Sequence, residues 1–147
     1  MQTFLPYQDF ELSAKCLDNS RLGKQRVEAY QILQALLLGG AWARHPATKM
    51  WRGFDLALCV YALACVREWQ LRGYKDTLAC KFEYHLNNAE FIEFPNWLGG
   101  QIHVTHQSNL VRKNPNYYTE KFNPLPPADL QYIWPTSKYV SLSLKTS

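Results

Sequence analysis

Cysteine is scarce and shows no pairing pattern: Cys16, Cys59, Cys65 and Cys80 include no Cys-x-x-Cys spacing. That spacing excludes a cysteine-based zinc site. A chain of 147 residues can build a core without disulfides. Three of the four thiols lie in apolar, helix-like stretches and read as small hydrophobes. No apolar run approaches the roughly 20 residues of a membrane span. The opening Met1-Gln2-Thr3-Phe4-Leu5-Pro6 lacks a basic stretch followed by an apolar one, so it does not read as a secretory signal. The expected compartment is the cytoplasm. Also missing are the Gly-x-x-x-x-Gly-Lys-Ser/Thr, Gly-x-Gly-x-x-Gly and Gly-x-Ser-x-Gly loops, and the His-x-Glu with Pro-Cys-x-x-Cys pattern of zinc deaminases. These absences argue against a nucleotide-driven motor, a dinucleotide oxidoreductase, an α/β-hydrolase and a nucleobase deaminase.

What is present is apolar and aromatic. Hydrophobic residues make up 47% and charged ones 19%, which excludes intrinsic disorder. Sixteen Lys/Arg against 12 Asp/Glu leave a net +4, compatible with a phosphate-bearing partner but not a proof of one. Five Trp and nine Tyr, several beside cations or histidines, suit base stacking as well as a small core.

Ser20 as N-cap and Gly39-Gly40 as stop predict a long helix from Ser20 to Leu38. A second should run from Asp55 to Arg72, closed by Gly73, and Asp76 should cap a third through Asn88. Shorter helices fit Asp9 to Leu17 and Pro115 to Phe122. Gly39 to Gly53 and Phe94 to Thr105 read as ordered loops, Asn123 to Pro135 as a proline-rich surface wrap. No strand pattern is sustained. The expectation is a mostly α fold, with one compact helical domain over residues 1–135 and a tail over 136–147.

Along the Ser20 helix, Arg21, Lys24, Gln25, Glu28 and Gln31 form a polar stripe, either a solvated face or a binding face. Arg26 falls on the apolar side, where a guanidinium must snorkel, pair with a buried acid or line a pocket. The next segment carries Trp42, Arg44, His45-Pro46, Trp51 and Arg52, a loop rich in rings and charge. Trp51 suits the core, and the proline holds His45 extended.

Downstream come Trp97-Leu98-Gly99, then His103-x-x-His106, Ser108-Asn109 and Arg112-Lys113. A helix opening near Ser108 would make an anion site with Arg112 and Lys113. The two histidines could donate to phosphate or act as acid and base; no nearby Asp or Glu completes a metal set with them. Asn109 suits a base edge or a turn, and Tyr117 suits stacking or packing. If these segments converge, they form a cleft for nucleic acid or a nucleotide-like ligand, in which Arg26 shares one hollow with His103 and His106.

The runs Leu17-Asp18, Arg21-Leu22-Gly23-Lys24-Gln25-Arg26-Val27-Glu28, His45-Pro46-Ala47 with Met50-Trp51, and Trp97-Leu98-Gly99 with His103, His106, Ser108-Asn109-Leu110 and Arg112-Lys113 resemble the pyrimidine dimer DNA glycosylase (endonuclease V-like) family. The resemblance implies a small helical fold. It also implies a glycosylase/AP lyase whose N-terminal amine attacks the sugar C1′, assisted by a helix glutamate and arginines, with DNA as partner and no cofactor. An α-amine has a pKa of about 8, which leaves a neutral nucleophilic fraction at physiological pH. Carried over, the amine is that of Met1, because the bulky Gln2 disfavours methionine removal. Arg26 matches the helix arginine and Val27 the acid position, with Glu28 one residue on, a rotation of about 100°. The expected catalytic set is therefore Met1, Glu28 and Arg26. The competing reading of Glu28 is a surface ion pair with Arg21. The competing function is a non-catalytic pocket holding a nucleotide or nucleotide-derived signal.

Overall fold

The computed structural model describes residues 1–135; the expected tail over 136–147 lies outside them. Seven α-helices and one short 3-10 turn occur among the described residues, with no strand, so the fold is mostly α. They are α1 (Phe10–Cys16), α2 (Asn19–Leu38), the turn Ala41–Arg44, α3 (Pro46–Lys49), α4 (Asp55–Leu71), α5 (Ala79–Leu86), α6 (Ile102–Lys113) and α7 (Pro115–Tyr118).

α4 is apolar nearly all round and is the central helix, packed by α1, α2 and α5. It buries Ala57, Leu58, Cys59, Tyr61, Ala62, Ala64, Cys65 and Val66 in one continuous core with Leu22, Ile32, Trp51, Phe82, Ile102 and Leu110. α2 crosses α4 closely because Gly23 has no side chain. A Cβ there would lie 2.9 Å from the Trp69 ring, which explains a glycine in mid-helix despite its low helix propensity. Gly39, with φ of 78°, ends α2 in a conformation that other residues avoid.

Several boundaries differ from the sequence expectation. The N-cap of α2 is Asp18 rather than Ser20; its carboxylate accepts from the Arg21 N–H and from the Tyr118 hydroxyl. Gly39 to Gly53 is not all loop, since His45 caps α3 through Nδ1. Asp76 does accept from the first amides of the α5 region, Leu78 and Ala79, although the helix itself begins at Ala79. α7 stops at Tyr118, four residues short of Phe122.

The largest correction concerns α6. It starts at Ile102, not near Ser108, because Ile102, Thr105, His106, Ser108, Leu110 and Val111 make one buried face. Polar residues on that face disguised it. Their polar atoms are used up internally. Thr105 and Ser108 hydroxyls accept from the Ile133 and Leu130 N–H groups, and Arg112 donates to Ser108 and to the Ala128 carbonyl. These bonds fasten the proline-rich wrap, and no helix N-terminus is available at Ser108 to hold an anion.

Candidate functional site

The first six residues form no secondary structure, yet Thr3, Phe4 and Leu5 are buried. A buried backbone must find partners, and here side chains from four elements supply them. The five carbonyls from Gln2 to Pro6 accept, in order, from Gln25 Nε2 (2.9 Å), the Tyr132 hydroxyl (2.6 Å), the Tyr61 hydroxyl (2.8 Å), His103 Nδ1 (2.8 Å) and Gln107 Nε2 (2.8 Å). The Phe4 N–H donates to Gln25 Oε1 at 2.9 Å and the Leu5 N–H to His106 Nδ1 at 3.0 Å. Trp51 Nε1 donates to the Thr3 hydroxyl at 3.1 Å. The N-terminus is therefore held at a defined point rather than left to fray.

What stands at that point is Glu28. Its Oε2 accepts from the Gln2 N–H at 3.3 Å and from Gln25 Nε2 at 3.2 Å. Val27, the position that the resemblance would give to the acid, is 45% exposed on another side of α2. Glu28, not Val27, faces the N-terminal segment. Gln25 is 1% exposed and uses both ends of its amide; its Oε1, the acceptor for the Phe4 N–H, also lies 2.5 Å from the Tyr61 hydroxyl, whose single proton is shared between it and the Phe4 carbonyl.

Beside Glu28 lies a cleft of about 250 Å³ lined by Gln2, Phe4, Ser20, Arg21, Lys24, Gln25, Glu28 and Lys113. The polar stripe of α2 is therefore a cleft wall through Glu28, while Gln31 is exposed beyond it. Arg21 pairs with Asp18 at 3.2 Å and lies over the Tyr118 ring; the competing reading, an ion pair to Glu28, is not formed. Near the terminus His45 packs edge-to-face with Trp42 (5.6 Å) and Trp134 (5.8 Å). Burial holds its imidazole below the ordinary histidine range, the N-terminal charge adds to this, and Glu28 opposes it.

Arg26 does not join this group. Its guanidinium pairs with the fully buried Asp76 and stacks over Trp69 at 4.6 Å, bridging α2 to the segment before α5. It shares no hydrogen bond with His103 or His106, so the expected common hollow is not built. The histidines instead clamp the N-terminal segment as opposite neutral tautomers. His103 Nδ1 donates to Leu5 while Nε2 accepts from the Gly99 N–H; His106 Nδ1 accepts from Leu5 while Nε2 donates to the Ile133 carbonyl. A second proton on either ring would face an N–H. Burial drives His106 down to about 3, the Ile133 bond opposing and the neighbouring His103 adding; burial also lowers His103.

The other sequence candidates divide in the same way. Trp51 and Trp97 are core, each donating from its indole N–H, Trp97 to the Met50 carbonyl. Tyr117 sits under Lys121, and Asn109 is half-buried in mid-helix with its Oδ1 unpartnered. Of the predicted set, Arg21, Lys24, Gln25, Glu28 and Lys113 line one cleft, with Met1, Trp42 and His45 near its terminus-bearing end. Gln2, Phe4, Ser20, Tyr132 and Trp134 were missed. Ser20 was legible, one turn before Lys24 on the same face; the others come together only through non-local packing.

These features define a helical domain that holds the amide of its second residue against a glutamate in a cation-lined cleft. The sequence profile described as Pyrimidine dimer DNA glycosylase matches residues 1–82, and the chain belongs to that family. Membership gives it DNA-glycosylase function as a class, with DNA as partner. No curated protein and no solved structure matches the chain. No helix among the described residues is long and apolar enough to cross a membrane.

Proposed function

We propose that the chain is a glycosylase/AP lyase acting on a damaged or modified base, with the Met1 α-amine as nucleophile and Glu28 as its acid–base partner. The observation that carries this reading is the anchoring of all five carbonyls from Gln2 to Pro6, which delivers the terminus to Glu28. A free chain end would have to be ordered at each turnover; here that entropy is lost once, during folding. The amine nitrogen bonds to C1′ and the glycosidic bond breaks with its electron pair leaving on the base. Loss of the amine proton and opening of the sugar ring give the imine. Glu28, already an acceptor from Gln2, is placed to take the proton that the amine sheds. His45 carries its remaining N–H on Nε2, because Nδ1 is occupied by the Ala47 amide; it acts as a donor at the lip of the site. Arg26 has a structural place in this scheme and no chemical one.

Borohydride reduction on lesion-bearing duplex DNA tests the proposal. The expected result is a covalent protein–DNA adduct that peptide mapping assigns to the N-terminal residue. Glu28→Gln should reduce it by about a hundredfold, and acetylation of the terminus should abolish it. An adduct on an internal lysine, or none on any lesion tried, overturns the reading.

A further inference from the structure

Amine chemistry needs only Glu28, yet the same cleft also carries cations. Lys24 lies one turn before Glu28 on α2, about 6 Å along the axis, and Lys113 enters from the last residue of α6. Arg21 is already committed to Asp18. Lys24 and Lys113 engage in no ion pair among the described residues, Glu28 in the same lining included, so both ammonium groups line the cleft uncommitted. At about 250 Å³ the space is below the roughly 300–1,000 Å³ that encloses a drug-sized ligand. Lys113 also stands outside the matched residues 1–82, so the family match does not supply this site.

We infer that Lys24 and Lys113 form the subsite for the phosphate on the 3′ side of the attacked sugar, the group expelled when the strand is cut. The inference rests on the proposed imine chemistry and extends it to the next step. With the imine at C1′, a C2′ proton passes to the Glu28 carboxylate. The freed electron pair forms the C2′–C3′ double bond, and the C3′–O bond breaks with its pair on the phosphate oxygen. A diester with one negative charge becomes a monoester that gains a second. Cations fixed at that oxygen favour this transition state over the imine that precedes it. The lysines thus act on strand scission more than on amine attack.

The test uses the whole protein and a duplex with a single abasic site, which bypasses the unknown lesion. Borohydride-trapped adduct and strand scission are measured in parallel for the wild type, Lys24→Met, Lys113→Met and Lys113→Arg. Lys81→Met, on the distant α5, controls for loss of one positive charge. Circular dichroism verifies that each variant is folded. The expected result is a fall of about tenfold or more in the ratio of scission to adduct for either methionine variant. Arginine should restore most of it, and Lys81→Met should leave the ratio in place. An unchanged ratio with adduct present overturns this inference and leaves the imine proposal standing, as does an equal loss of both signals, which marks an ordinary backbone contact. No adduct in the wild type overturns both.

Discussion

Acidifying the protein through the histidine range should release its N-terminal segment, and His106 sets the scale. In the folded chain burial pushes this imidazole down to about 3, against about 6.5 for an unfolded histidine. Between those values the unfolded chain binds a proton that the folded chain refuses. The stability contributed by neutral His106 is therefore complete above about pH 6.5 and declines as pH falls toward 3. Over the whole window the difference is worth roughly 4–5 kcal/mol. From about pH 7.5 to 5 it is roughly 2 kcal/mol, or about 1 M in urea midpoint. His103 and His45, both lowered, add loss of the same sign. Asp18 is lowered by Tyr118 and Arg21 against its own desolvation; its contribution is lost only at carboxylate pH, below this window. The assay is urea unfolding followed by tryptophan fluorescence at several pH values, for the wild type and His106→Asn. Asparagine keeps an acceptor for the Leu5 N–H but cannot titrate. The variant should be less stable at pH 7.5, by about 1–3 kcal/mol for the lost Tyr132 stack and Ile133 bond, yet shallower in its acid slope by roughly 2 kcal/mol. A wild-type midpoint that does not move between these pH values, or an equal slope in the variant, refutes the assignment of a neutral clamp.

Other consequences follow from the same contacts. Gly23→Ala gains about 1 kcal/mol of helix propensity but forces Trp69 away from a 2.9 Å contact; a net loss of about 1–2 kcal/mol is expected in thermal unfolding. Asp76→Ala strands the Arg26 guanidinium and should cost about 3–5 kcal/mol. Arg26→Met, by contrast, should keep most of the trapped-adduct yield per folded molecule, whereas Glu28→Gln loses it. Gln25→Ala leaves the Phe4 N–H and the Gln2 carbonyl without partners. It should lower stability by about 2–4 kcal/mol and reduce adduct formation further than the unfolded fraction explains, measured under conditions where the variant is folded.

Helix identity was legible wherever local chemistry decided it. Asp9, the Gly39 stop and the Gly73 stop marked α1, α2 and α4 to within a residue or two. α6 was misread because its buried face is written in His, Thr and Ser, whose burial is tolerable only with partners from remote segments. The same confusion governs the site. His103 and His106 look like ligands in sequence because imidazoles are versatile; in the fold every ring nitrogen is consumed by backbone. For Arg26 the sequence left a buried acid and a pocket both open; the acid that decides it, Asp76, is fifty residues away.

By itself the sequence determined the helical class, the family and the stripe Arg21, Lys24, Gln25 and Glu28, because helical periodicity and caps are short-range properties of the chain. Only the tertiary structure decided that this stripe faces the protein's own first residues rather than water. It also decided that Glu28 and not Val27 meets the Gln2 amide, and that Lys113 joins the same cleft. Those outcomes depend on which backbone groups are left without partners once the helices pack, and no local pattern encodes that.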